Sequence, residues 1–266
     1  QWKPKIICLL LNRFSDILTK QIGFDVEMKL IQILSVLSTL SRHLKFSIIQ
    51  QATNLDLKAF LSKMFDLTMV ILQIPNGYSI DAIQVAIDFW TNFEKALRND
   101  GNVEPKKYLA HFAQPISIQY IELLLSITST PNEMPRIDPL DIPQLSEAKF
   151  LSPIESFVIL NSDSICPSII TKFQMVQGQL EEALAQGIDT SQLEMAMVCF
   201  VEIATIIIKI KKLNNHNNPQ TKYHSDFFYL LIELLQTSGK FPSSGIFLPR
   251  LEMALILFIW EFKTTQ

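Results

Sequence analysis

The residues able to do acid–base, nucleophilic or metal chemistry are few and scattered. The histidines are His43, His111, His216 and His224, and none stands at ligand spacing from another histidine or a cysteine. Metal binding and general-base catalysis need such side chains to converge, so each reads as a solvated or helix-end histidine. Cys8, Cys166 and Cys199 are odd in number, far apart and set among apolar residues. They read as reduced core cysteines of an intracellular protein, not as disulfides or a zinc site. Glu181 and Glu182 lie on a helical stretch and read as solvated carboxylates. Lys209, Lys211 and Lys212 read as a basic helix end that complements the dipole, with an anionic partner surface as the alternative. No glycine-rich phosphate loop, Gly-x-Gly-x-x-Gly or Gly-x-Ser-x-Gly motif is present. The sequence therefore names no catalytic residue, no cofactor-binding residue and no metal ligand. It reads as a protein that is not an enzyme and needs no cofactor.

The background agrees with a helical binding protein. Glycine occurs 7 times in 266 residues, under half the usual share of roughly 7%. So few glycines leave little provision for the tight turns of a sandwich or barrel. Charged residues are 18% and apolar residues 48%, which suits long helices packed along much of their surface. The net charge of −3 offers no basic stripe, so direct nucleic-acid binding is not expected. The most apolar stretch, Met253 to Trp260, is only half a membrane span, with Glu252 and Glu261 at its ends, so no membrane insertion is expected.

Helical spacing of apolar residues predicts helices over 6–22, 26–45, 54–73, 79–98, 104–128, 167–186, 191–212, 222–237 and from Pro249 onward. Pro115 inside the fifth predicts a kink or break. Gly187 reads as a helix stop, and Asp189-Thr190-Ser191-Gln192 as a capping box for the helix that follows. Residues 129–153 carry five prolines among polar and charged residues and read as an insertion or linker. A second irregular stretch is the Asn-rich run 214–220.

One frame recurs along these helices: an aliphatic residue, Glu or Gln, any residue, Ala, three more residues, then a large aromatic. It is Ile83-Gln84-Val85-Ala86-Ile87-Asp88-Phe89-Trp90, then Leu193-Glu194-Met195-Ala196-Met197-Val198-Cys199-Phe200. The third copy is Leu251-Glu252-Met253-Ala254-Leu255-Ile256-Leu257-Phe258, which matches the second at five of eight positions. The copies start 110 and 58 residues apart, and Val26-Glu27-Met28 is a degenerate earlier one. A period of about 55 residues, two helices each, follows the logic of HEAT and armadillo hairpins though it is longer. The fold class expected is all-α, an α-α superhelix of antiparallel helix pairs. Residues 1–266 read as a single helical-repeat segment, a piece of a longer solenoid. Trp90 and Phe93 read as packing residues between repeats, not as a ligand platform.

Asp88-Phe89-Trp90-Thr91-Asn92-Phe93-Glu94-Lys95-Ala96-Leu97, preceded by a Pro-Asn-Gly turn, resembles a helix in the middle HEAT repeats of the importin-β superfamily, the karyopherins. The exportin and transportin-3-like branches are the nearest in look. The stretch from Leu193 through Ala204, and Leu248-Pro249-Arg250-Leu251-Glu252-Met253-Ala254, resemble other family helices, so the likeness covers residues 79–262. It implies a nucleocytoplasmic transport receptor of cytoplasm and nucleus, with cargo proteins, the GTPase Ran and Phe-Gly nucleoporins as partners. It also implies that Ran-binding amino-terminal repeats lie outside this segment. The Pro-rich stretch and the Asn-rich loop depart from the family pattern. The alternative is a HEAT-like scaffold subunit of a multiprotein complex with no transport role.

Overall fold

The computed structural model describes residues 24–43, 57–73, 80–99, 105–129, 151–210, 221–238 and 248–265. Among these residues every element is a helix and none is a strand. In chain order they are α1 (Phe24–His43), α2 (Leu57–Gln73), α3 (Ile80–Asn99), α4 (Pro105–Ser129), α5 (Ser152–Gln186), α6 (Ser191–Ile210), α7 (Thr221–Ser238) and α8 (Pro249–Thr265). The protein is thus all-α, built by helix-on-helix packing. The chain divides into two compact units, Gln1–Tyr120 and Ile121–Gln266.

In the first unit, α3 is the helix the others pack on, with α1 and α2 both against it. Its apolar residues Ile83, Ala86, Ile87, Trp90, Phe93 and Leu97 are all buried. Asp81 in its first turn and Arg98 in its last match the helix dipole. Two buried polar pairs fix its neighbours. The Trp90 indole N–H donates to Thr68 Oγ1 of α2 at 2.9 Å, and the same hydroxyl donates to the Met64 carbonyl at 2.8 Å. The Asn92 amide donates to Ser38 Oγ of α1 at 2.7 Å. Such pairs contribute about 1 kcal/mol each, but leaving one partner unmet would cost more, so they set register as much as stability. Phe112 of α4 sets its ring 5.4 Å from Phe65 and 5.5 Å from Trp90, joining α2, α3 and α4 through aromatic contacts. α4 continues through Pro115 as one helix, so of the kink or break expected there the break does not occur.

In the second unit, α6 takes the central place, with α5, α7 and α8 packed against it. Phe200 of α6 meets Phe173 of α5 edge to face at 5.7 Å. Phe228 of α7 lies 6.2 Å from Phe258 of α8. Lys172 of α5 pairs with Glu122 at the end of α4.

The sequence places the start of this helical region at Pro167, but α5 begins at Ser152. Pro153 stands in the first turn, where a missing N–H costs nothing. Ile154, Phe157, Val158 and Leu160 then supply a buried stripe ahead of Ile165, Ile169, Phe173 and Val176. The helix is interrupted at Asn161 (φ −152°, ψ 62°) and continues through Pro167. At its other end Gly187 adopts φ 67°, and the N–H groups of Gly187 and Ile188 bond the carbonyls of Leu184 and Ala183. That is a Schellman stop, for which glycine lacks the steric penalty of other residues. The next helix opens at Ser191, where Asp189 accepts the Ser191 N–H at 3.0 Å.

The expected helix over 6–22, the Asn-rich loop 214–220 and most of 129–153 lie outside the described residues. At the two ends of 129–153, Ser129 closes α4 and Ser152 opens α5.

Candidate functional site

Of the side chains that sequence singled out for chemistry, those among the described residues do not converge. His111 is exposed on α4, and Glu181, Glu182 and Lys209 are exposed on their helices. Glu181 and Glu182 each accept a hydrogen bond at 3.0 Å from a glutamine four residues away, Gln177 and Gln186. Among the described residues no group of three His, Cys, Asp or Glu side chains could hold a metal ion. Cys8, His216, Lys211 and Lys212 lie outside the described residues, and the side chains of His43 and His224 do as well.

One titratable cluster was not anticipated. Tyr223 at the start of α7 is hydrogen-bonded to Asp163 of α5, with Asp226 and Cys166 close by. Partial burial, then the Asp163 carboxylate, push the Tyr223 phenol above its ordinary range. Burial, reinforced by Asp163 and Asp226, pushes the Cys166 thiol up to about 12. Burial and then Glu202 raise Cys199 likewise to about 12. A thiolate is the reactive form of cysteine, so these environments hold both thiols inert near neutral pH.

The feature with a definite geometry is the junction of α6 and α8. Glu194, in the second position of the frame and buried at 7% exposure, reaches the amino-terminal end of α8. Its Oε1 accepts the backbone N–H of Arg250 at 2.8 Å and of Leu251 at 3.2 Å. These are among the first N–H groups of α8, which no carbonyl of the helix itself can satisfy. A carboxylate there supplies both acceptors and a charge opposite to the positive end of the dipole. The Arg250 guanidinium lies 3.4 Å from the Met195 sulfur, so the next frame residue also faces α8. The amino-terminal ends of α6 and α8 are therefore adjacent, and the bonded residues are 56 and 57 apart in sequence. Those separations fall one or two residues short of the 58 between the two frames. Sequence reading used Glu194 as a repeat marker and missed it as a cap. No local signal marks it: the equivalent Gln84 donates instead to Asp88 of its own helix at 2.9 Å.

The same frame positions on α8 face outward. Met253, Ile256, Leu257, Ile259 and Trp260 are all exposed, while Leu251, Ala254, Leu255 and Phe258 are buried. Residues 253, 256, 257 and 260 recur at helical spacing and form one apolar stripe. No helix among the described residues is long and apolar enough to cross a membrane.

Compared with protein-family models, with curated proteins and with solved structures, the chain matches none.

Proposed function

We propose that this chain is a protein-binding helical scaffold segment, and that its work is done by helix faces rather than by a catalytic centre. The observation that carries this reading is the Glu194 junction. It joins two copies of one frame by a specific contact, and helical arrays are assembled from short units through contacts between neighbouring units. Within that class, the resemblance of residues 79–262 to middle karyopherin repeats favours a nucleocytoplasmic transport receptor, binding cargo, Ran and Phe-Gly nucleoporins in cytoplasm and nucleus. A superhelix of such pairs is the arrangement that reading requires. The second reading, a HEAT-like scaffold subunit of another complex, draws on the same junction and needs no transport partner.

A pull-down of Ran by the full-length protein separates the two. Capture that depends on GTP over GDP supports the transport receptor. Equal capture in both nucleotide states, or none, overturns it and leaves the scaffold.

A further inference from the structure

We draw no further inference here: the strongest candidate, the exposed apolar stripe of Met253, Ile256, Leu257 and Trp260 on α8, carries none because nothing in the structure shows what covers it.

Discussion

α6 and α8 share Leu-Glu-Met-Ala and a closing Phe, yet the frame of one is buried from its second position to its eighth and the frame of the other along one face only. In α6 the frame residues Met195, Ala196, Met197, Val198, Cys199 and Phe200 are all buried. In α8 only Ala254, Leu255 and Phe258 of the corresponding six are. Positions four, five and eight of the frame, with Ala86, Ile87 and Trp90 in α3, are buried in all three copies and constitute its packing face. Positions three and six are buried in α6 alone, and position seven in α3 and α6 but not in α8. An apolar residue in a helix thus reports a capacity to be covered, and the neighbour decides whether it is.

The sharpest way to break this comparison is to place a charge at position six. Val198→Asp, fully buried, should cost about 4–5 kcal/mol or more, enough to unfold a marginal unit, as read by urea denaturation. Ile256→Asp, on the open face, should shift stability by less than about 0.5 kcal/mol. Equal losses would mean that the face of α8 is covered after all.

Trp90 at position eight and Trp260, two residues past the frame in α8, give the next largest contrast. Trp90→Ala should cost about 3–5 kcal/mol, since the ring is buried and hydrogen-bonded to Thr68. Trp260→Ala should cost well under 1 kcal/mol. Emission spectra of the single-tryptophan variants should agree, blue-shifted for Trp90 and water-like for Trp260.

A smaller effect tests the cap. Glu194→Ala strips two α8 N–H groups of their acceptor and should cost about 1–2 kcal/mol, whereas Glu252→Ala should fall within about 0.5 kcal/mol in the free chain. A thermal scan of both variants decides between a cap and an incidental contact.

The weakest contrast is in alkaline stability. Cys166 and Cys199 titrate near 12 in the folded chain against an ordinary 9.0. Between those values the native state holds protons that the unfolded chain has released, so stability falls as pH rises. Their contribution is whole below about pH 9 and is lost on the way to about 12. The urea midpoint should drop from about pH 8 to about pH 10.5, and less so in a Cys166→Ala, Cys199→Ala chain. In a Cys8→Ser chain, a thiol reagent should label the folded protein only as fast as it opens.

Periodicity made most of this fold legible. The stripe in α3 and the stops at Gly187 and Asn99 are local events, written in spacing and turn chemistry. Residues 152–166 were missed because the stretch up to Pro153 read as linker and Pro167 as a helix start, when Pro153 stands in a harmless first turn and Pro167 follows an interruption at Asn161. The Glu194 cap was illegible for another reason: its partners are supplied by a helix 56 residues away. Nor could composition separate α6 from α8, because the difference lies in what surrounds them.

Asn161 has its own consequence for motion in α5. Its backbone leaves the helical region, so the hydrogen-bond ladder on either side is not one continuous column. The segment from Ser152 to Leu160 can open without unwinding Ser162–Gln186. Amide hydrogen exchange should therefore run through α5 in two steps, the shorter amino-terminal part exchanging first and the part braced by Phe173 against Phe200 last.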